Sequence, residues 1–305
     1  MAESPTLPSP LIFDRALIRA RRRRAAGLGP ATFLLDRAAA DLADRLGTVL
    51  RRFPLALDLC TPGDAVRGAL GRLGSVDKIV AAEAVPARGG TLASPRVAAD
   101  EEALPFRDAT FDLVVSALAL QFVNDLPGAL VQIRRALKPD GLFLAALIGG
   151  ETLTELRQAF AAAESEIEGG VSPRVAPFAD LRDLGALLQR AGFALPVADS
   201  DRLTVRYDSV FTLMLDLRRM GATNALVDRR RVPLKRATLL RMAEIYAARF
   251  ADGDGRIRAT FEIVWLSGWA PHPSQQQPLK PGSAKTRLAD ALGTREISTG
   301  EKAPR

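Results

Sequence analysis

Short apolar runs alternate with helical stretches through the first half of the chain. Apolar residues recur at steps of three and four between residues 31 and 50, which predicts an amphipathic helix. Apolar runs follow at residues 55–59, 77–83, 96–99, 111–117 and 142–148, and helical stretches at 65–73 and 126–137 separate some of them. Nearly continuous apolar strands that alternate with helices are typical of a parallel sheet covered on both faces. The pattern therefore predicts an α/β fold.

The second half of the chain has a different order of elements. Helices are predicted at residues 152–167 and 180–190, and strands at 202–207 and 260–269. Two further helices, at 210–220 and 234–250, lie between those strands and are interpreted as a cap. The predicted organisation is a basic, partly disordered N-terminal arm (1–30), a cofactor-binding Rossmann-like half (31–150), C-terminal strands with the helical cap (151–270) and a basic tail (271–305).

The positive charge lies at the two ends of the chain. The net charge is +7, and residues 1–30 hold six arginines against two acidic residues. Residues 271–305 hold six basic and three acidic residues, and the rest is balanced at 30 of each. A nucleic-acid-binding protein more often carries its charge on a folded face, so no specific nucleic acid is expected. The run Arg21–Arg24 is interpreted either as a solvated helix face or as a peripheral contact with an acidic partner or anionic lipid.

Composition also bears on location and on metal binding. No uncharged apolar run reaches the roughly 18 to 20 residues that span a bilayer, and no signal peptide is recognised, so we expect a cytoplasmic protein without a transmembrane segment. The chain has one cysteine, Cys60, and one histidine, His272. Because the usual zinc sites need several such ligands, no metal is expected.

The candidate ligand site follows from the sheet. In open α/β sheets, ligands bind beyond the carboxyl ends of the strands, where strand order reverses. A carboxylate that closes strand two can accept both ribose hydroxyls, and one after strand three can address an adenine edge. The alternative for each carboxylate is a solvated helix cap. The candidate cofactor-binding residues are Asp58, Gly63, Glu83, Asp100, Glu101 and Ser116.

Several of these residues belong to motifs that resemble class I S-adenosylmethionine-dependent methyltransferases. The motifs include the Leu-Pro-Phe segment at 104–106, Phe-Asp-Leu-Val-Val-Ser at 111–116 and Leu-Lys-Pro-Asp-Gly at 137–141. A narrower resemblance runs over about residues 11–285, through the sequences at 13–15, 123–127, 149–153, 168–170, 220–224 and 268–275. These are similar to the methyltransferase-like complex I assembly factors, whose mitochondrial members are associated with hydroxylating an arginine of a complex I subunit.

The resemblance carries expectations for fold, cofactor and partner. It implies a Rossmann-like, seven-stranded methyltransferase sandwich with an inserted helical cap. It also implies S-adenosylmethionine as the cofactor and a protein substrate, a complex I subunit. For a eukaryotic protein it implies the mitochondrial matrix.

The loop after strand one departs from the family pattern. That pattern places glycines where this chain has Cys60, Pro62 and Asp64, and Gly63 stands between two of them. Proline fixes φ and donates no hydrogen bond, and Asp64 brings negative charge toward the cofactor's carboxylate. A one-residue slip of the loop would bring Gly63 into use. The loop is therefore consistent with a protein that still binds the cofactor and with one that has lost it.

Other residues are candidates for chemistry or substrate contact. Cys60 precedes a helix N-terminus, where a thiolate is favoured, and the alternative is a plain buried thiol. The substrate candidates are Gln121, Phe122 and Asn124, which follow strand four, Trp269 at the end of the last strand, and His272, which lies in the tail just after it. Aromatic residues on a strand are more often core residues.

Three functions are consistent with these residues. The first is a methyltransferase-family protein of the complex I assembly type that modifies a protein side chain, by methylation or by arginine hydroxylation. No catalytic residue stands out for it. The alternative is a non-catalytic assembly or chaperone protein that has lost the cofactor. The third is a small-molecule methyltransferase, which a wide, closed apolar pocket under the cap would favour.

Overall fold

Seven strands form one sheet in the order β3-β2-β1-β4-β5-β7-β6. The computed structural model describes residues 11–85, 94–276, 283 and 286–295. The strands are β1 (Phe53–Leu59), β2 (Val76–Glu83), β3 (Arg96–Ala98), β4 (Phe111–Ala117), β5 (Leu137–Ile148), β6 (Ala194–Tyr207) and β7 (Ile257–Trp269). β7 is antiparallel to β5 and β6, and the other neighbouring pairs are parallel. The predicted seven-stranded Rossmann-like sheet is confirmed.

Nine α-helices are described, and several of them begin at a side-chain cap. They are α1 (Arg15–Ala26), α2 (Phe33–Gly47), α3 (Ala65–Leu70), α4 (Leu126–Ala136), α5 (Thr154–Glu168), α6 (Leu181–Arg190), α7 (Val210–Arg219), α8 (Arg236–Phe250) and α9 (Leu288–Leu292). The carboxylates of Asp14, Asp125 and Asp180 accept hydrogen bonds from backbone N–H groups in the first turns of α1, α4 and α6. Within the described residues, no helix is long and apolar enough to cross a bilayer.

Both faces of the sheet are covered. Successive residues of β1 point to opposite faces, so Leu57 and Leu59 join the apolar cluster with α4 and α6, whereas Ala56 joins the cluster with α2 and α3. A third cluster holds α5, α7 and α8 against β7. α7 and α8 lie between β6 and β7 in the chain, as the predicted cap does.

Several strands begin earlier than predicted, and the shift is largest for β5 and β6. β5 starts at Leu137 rather than at Leu142, and its register with β4 shifts between Phe111 and Leu113. Pro139 donates no ladder hydrogen bond and Asp140 has φ 62°, so the segment forms an irregularity within the strand instead of a separate turn. β6 starts at Ala194 rather than at residue 202, because pairing with β7 holds a polar segment at the sheet edge.

The chain divides into two units, residues 1–271 and 272–305. α9 belongs to the second unit. The disorder expected at residues 1–10 falls outside the described residues.

Candidate functional site

The candidate site lies at the carboxyl ends of β1, β2, β3 and β4. Strand order reverses between β1 and β4, which is where α/β sheets bind ligands. The buried Ser116 hydroxyl donates to the Leu59 carbonyl at 2.8 Å, and the Ala117 amide donates to Thr61 Oγ1 at 3.0 Å. These bonds tie the start of the loop after β1 to the end of β4. Ser116 therefore connects the end of β4 to the end of β1 through a structural hydrogen bond.

The loop after β1 contains two residues in the left-handed backbone region. Cys60 has φ 56° and Gly63 has φ 72°. A Cβ atom at Gly63 would meet nothing within 4 Å, so the backbone angle alone favours glycine there. The Cys60 amide donates to the Ala82 carbonyl at 2.8 Å, which ties the loop to β2. Cys60 thus adopts a glycine-like conformation at the first motif position without being glycine.

The Cys60 thiol is buried and uncharged. Burial, followed by the nearby Glu101 carboxylate, raises the pKa of Cys60 far above its ordinary value. Its sulfur lies 3.8 Å from the Ala99 carbonyl oxygen. A thiolate is the reactive form, so these surroundings favour the plain buried thiol over the nucleophile.

Three carboxylates and two arginines form what we call the inner cluster. Arg67 Nη1 donates to Asp58 Oδ2 at 2.8 Å, and the two side chains are 1% and 0% exposed. Arg67 Nη2 contacts Asp64 and lies 3.4 Å from Glu83 Oε1. Arg96 lies 3.5 Å from Glu83 and 3.8 Å from Asp64. Two predicted cofactor carboxylates, Asp58 and Glu83, are therefore paired with arginine.

Burial governs the charge of Asp58. Burial raises the pKa of Asp58 to about 6, although a hydrogen bond from Thr61 and the charge of Arg67 lower it. The carboxylate and the guanidinium thus share a site from which water is excluded. Such a pair is stable only while both partners are present.

Three further carboxylates meet α1 in what we call the outer cluster. Its members are Asp100, Glu101 and Glu102 after β3, and Arg15, Arg19 and Arg22 of α1. Arg15 lies 2.6 Å from Asp100 and 2.9 Å from Glu102, and it also contacts Glu101. Arg19 contacts Asp100. The other two predicted cofactor carboxylates, Asp100 and Glu101, are therefore also paired.

Arg22 has fewer carboxylate partners than Arg15 has. It lies 3.4 Å from Glu101 Oε1, and its guanidinium carbon is 5.9 Å from the centre of the Phe122 ring. Burial lowers the pKa of Arg22 despite the Glu101 charge. For Arg15, burial also lowers the pKa, but Glu101 and Asp100 outweigh it and raise the pKa above its ordinary value.

No arginine was predicted to meet the cofactor carboxylates. Residues 15, 19 and 22 are spaced so that they share one face of a helix, and that spacing was the available signal for the outer cluster. Within the run Arg21–Arg24, interpreted as a solvated face or as a contact with an acidic partner, Arg22 belongs to the outer cluster. Arg21 donates to the Thr223 carbonyl at 2.7 Å, whereas Arg23 and Arg24 are exposed.

The residues predicted to follow strand four hold the N-terminal segment. Asn124 Oδ1 accepts from the amides of Ile12 and Phe13 at 2.9 and 2.8 Å. Phe122 packs edge-on against Phe13, with ring centres 5.6 Å apart. Gln121 Oε1 is buried and has no hydrogen-bond partner among the described residues. Phe122 and Asn124 thus lie beside the outer cluster, where they position α1.

Trp269 is not brought to this site, and His272 belongs to a different unit of the chain. Trp269 pairs with Leu142, in the amino-terminal half of β5. It therefore lies toward the opposite end of the strands from the carboxyl ends of β1 to β4. The Arg51 guanidinium covers its ring at 5.5 Å. His272 belongs to the second unit, where its exposed ring Nδ1 is 2.6 Å from Ser274 Oγ.

Space at the outer cluster is small. The cavity between α1, Ala84, Glu101 and Phe122 has a volume of about 10 Å³, which is roughly the room that one water needs. A larger cavity of about 640 Å³ lies between α5 and the segment after it, lined by Gly150, Arg157, Phe160, Arg174 and Phe178 among others. That cavity adjoins the carboxyl end of β5, and its residue Phe178 contacts Phe122 beside the outer cluster, with ring centres 6.1 Å apart.

S-adenosylmethionine does not fit at the outer cluster in this arrangement. Guanidinium groups contact the carboxylates there, and the cavity of about 10 Å³ is far below the roughly 300 Å³ that a ligand of that size needs. Any use of the outer cluster by the cofactor therefore requires α1 to move. Within the described residues, no three histidine, cysteine or carboxylate side chains are placed to hold a metal ion.

Comparison with known proteins agrees with the fold. A family profile described as a methyltransferase domain matches residues 74–145. A putative methyltransferase from Bacillus halodurans superimposes with a TM-score of 0.52 at 17% sequence identity, covering 77% of this chain and 99% of that one. At that identity the likeness shows the fold alone.

Relatives of higher identity cover most of the chain. The mitochondrial arginine-hydroxylase NDUFAF5 of Homo sapiens is 43% identical over 92% of this chain and 83% of its own length. The Danio rerio protein of the same name is 40% identical over 92% and 89%. A malonyl-[acyl-carrier protein] O-methyltransferase of Halorhodospira halophila is 39% identical over 77% and 81%. By its sequence and its fold, this chain belongs to the methyltransferase-fold family that includes the arginine-hydroxylase NDUFAF5.

Proposed function

We propose that this chain acts on an arginine side chain of a protein partner at the outer cluster. One observation carries the proposal: three consecutive carboxylates at the ligand-binding edge of the sheet already hold guanidinium groups. Carboxylates match the planar fork of arginine donors, and an aromatic ring adds a cation–π contact. The name of the relatives, arginine-hydroxylase, specifies the same side chain.

The residues of the cluster would have distinct tasks. Glu101 is 3% exposed, so an ion pair with it is weakly screened by solvent and fixes the orientation of a guanidinium. Phe122 presents its ring to the same position. Together they would select a flat cation and exclude water from it. S-adenosylmethionine does not fit at the outer cluster while α1 is in place, so it takes no part in this step.

The sequence likeness to complex I assembly factors indicates the class of partner. We propose that it is a subunit of respiratory complex I, because the complex I assembly factors show the narrower sequence likeness. The compartment would then be the mitochondrial matrix in a eukaryote and the cytoplasm in a bacterium. The human and zebrafish relatives are both named as mitochondrial.

The test is mass spectrometry of complex I from cells that lack their own homologue. The cells would express the wild type, Glu101→Gln or Glu244→Gln, the last being an exposed glutamate of α8. We expect an arginine that gains one oxygen atom with the wild type and with Glu244→Gln, and that remains unmodified with Glu101→Gln. Replacing a C–H hydrogen by a hydroxyl group is a two-electron oxidation, so the cells supply the oxidant, dioxygen together with a two-electron donor.

The other results separate the alternative functions. If the arginine gains a methyl group instead of an oxygen atom, the reaction is methylation and not hydroxylation. Assembled complex I without a modified arginine would refute the proposal and favour the non-catalytic assembly protein. Equal modification with Glu101→Gln would move the site away from the outer cluster.

A further inference from the structure

The cavity beside α5 shares no lining residue with either ion-pair cluster among the residues that the structure describes. It has a volume of about 640 Å³ and is formed by α5, by Gly150 after β5 and by the irregular segment at residues 171–178. A volume between roughly 300 and 1,000 Å³ is typical of sites that enclose a small organic molecule. The cavity is therefore a candidate site for a ligand of its own.

The walls of this cavity are mainly apolar. Phe160 and Phe178 supply aromatic surface, and Val171 and Val175 supply aliphatic surface. Val171 is 66% exposed, and Phe178 and Val175 are half-buried. Apolar surface that a ligand removes from water contributes favourably to binding. A ligand of this cavity would therefore need an apolar body.

Two arginines line the cavity, and they differ in their partners. Arg174 Nε donates to Glu164 Oε1 at 2.7 Å, so its charge is already compensated. Arg157 Nη2 instead lies 3.5 Å from the Gly150 carbonyl oxygen and 3.4 Å from the Ala176 carbonyl oxygen. Among the residues that the structure describes, no carboxylate pairs with Arg157. One guanidinium charge at the cavity is thus left for a ligand to neutralise.

The segment opposite α5 is held in place by the protein itself. The Ser172 amide and hydroxyl donate to the buried Glu164 carboxylate at 2.7 and 2.8 Å, and Asn224 Nδ2 donates to the Pro173 carbonyl at 2.7 Å. Pro173 and Pro177 further restrict the backbone. A wall that is already ordered loses little conformational entropy when a ligand binds. The cavity is therefore preorganised.

We propose that this cavity binds a free organic carboxylic acid, with its carboxylate on Arg157 and an aryl or branched alkyl body against Phe160 and Phe178. A planar guanidinium matches a carboxylate in charge and geometry, and the single charge left over matches a monoanion. A peptide is disfavoured because its amide groups would lose water against mainly apolar walls. The inference goes beyond the proposed action on an arginine, and it assigns the cavity a binding role and no reaction.

The test is a ligand-observed NMR titration with hydrocinnamate, an acid that joins a phenyl ring to a carboxylate. Hydrocinnamamide is the neutral probe of the same shape, and the capped dipeptide acetyl-Phe-Glu-amide carries the same groups on a peptide backbone. The proteins are the wild type, Arg157→Gln, Ala161→Phe and Arg182→Gln. Ala161 lines the cavity, and Arg182 is an exposed arginine of α6 that does not line it. Circular dichroism and thermal melting establish that each variant is folded.

We expect Arg157→Gln to weaken hydrocinnamate binding about tenfold, because charge-assisted hydrogen bonds to the carboxylate are lost. Hydrocinnamamide should bind the wild type about as weakly as the acid binds Arg157→Gln. Ala161→Phe should weaken both probes, since its ring occupies the apolar space, and it tests the cavity if Arg157→Gln does not fold. Arg182→Gln should match the wild type, and the dipeptide should bind more weakly than the acid.

Several results would overturn the inference. These are equal binding of the acid to the wild type, Arg157→Gln and Ala161→Phe, or equal binding of the acid and the amide to the wild type. Tighter binding of the dipeptide than of the acid would replace the small molecule by an acidic segment of a partner protein. None of these measurements alters the outer cluster, so the proposed arginine modification is decided separately by mass spectrometry.

Discussion

The inner and outer clusters bring the same two side-chain types together in different ways. In the inner cluster, Arg67 and Asp58 lie nine residues apart within one strand-loop-helix unit and are almost fully buried. In the outer cluster, Arg19 and Asp100 lie 81 residues apart, and each side chain is 34% exposed. The first pair forms whenever β1 and α3 pack, whereas the second depends on the docking of α1.

This difference separates a structural ion pair from a conditional one. Buried charges cannot separate without a large desolvation cost, so Arg67 belongs to the fold. Partly exposed charges can exchange partners with water or with another guanidinium at a small cost. In the outer cluster, the Arg19–Asp100 pair is therefore the exchangeable part, whereas Glu101, at 3% exposed, is as buried as Glu83 of the inner cluster.

The largest expected effect comes from breaking the inner pair. Arg67→Met leaves the Asp58 carboxylate buried without its partner and should lower the free energy of unfolding by about 3 to 5 kcal/mol. Urea unfolding measures this. Arg72→Met, at an exposed position just after α3, is the control and should change little. A loss no larger than that of Arg72→Met would mean that the inner cluster is not structural.

A pH series sharpens the same contrast. The pKa of Asp58 in the folded protein is about 6, above the value of about 3.9 for a free aspartate. A raised carboxyl pKa contributes stability that is full below the unfolded pKa and is lost as pH rises through the folded pKa. From about pH 4 to about pH 7, the unfolding free energy of the wild type should fall by about 2 to 3 kcal/mol relative to Asp58→Asn. A flat or rising difference would contradict this assignment.

Cofactor affinity tests whether the outer cluster can open. We expect Arg15→Gln/Arg22→Gln to bind S-adenosylmethionine about tenfold more tightly than the wild type does, a gain of about 1.4 kcal/mol. The physical reason is that Glu101 and its neighbours no longer hold arginines of α1. Calorimetry measures the affinity, and Arg24→Gln is the matched control. Equal affinity in all three proteins would show that α1 does not limit cofactor access.

The smallest effect is expected at Gly63, in the loop between Asp58 and Asp64 of the inner cluster. Gly63→Ala places a side chain at φ 72° where no atom obstructs it, so the backbone strain alone should cost about 1 kcal/mol. Gly74→Ala also meets nothing within 4 Å but lacks a positive φ, and it should be nearly neutral. Thermal unfolding compares the two. Equal stability would show that the loop tolerates alanine by changing its conformation.

Some element boundaries could be predicted and others could not. β4 matches its predicted bounds because its residues form an apolar run buried on both faces. The first part of β6 was missed because residues 194–201 carry Pro196 and several polar side chains, and only pairing with β7 holds them in a strand. Strand character at a sheet edge depends on a neighbour that a local pattern does not contain.

The sequence by itself determined the α/β fold, the family and the carboxylates at the ends of β1, β2 and β3. Hydrophobic periodicity and short motifs depend only on residues that are close in the chain, so they can be recognised without the structure. Only the tertiary structure decided what those carboxylates face. Arg15 meets Glu101 across 86 residues, and Trp269 lies toward the opposite end of the strands, because sheet order and the docking of α1 fix those distances. Charge partners that are remote in sequence leave no local pattern, so their pairing becomes visible only in the folded chain.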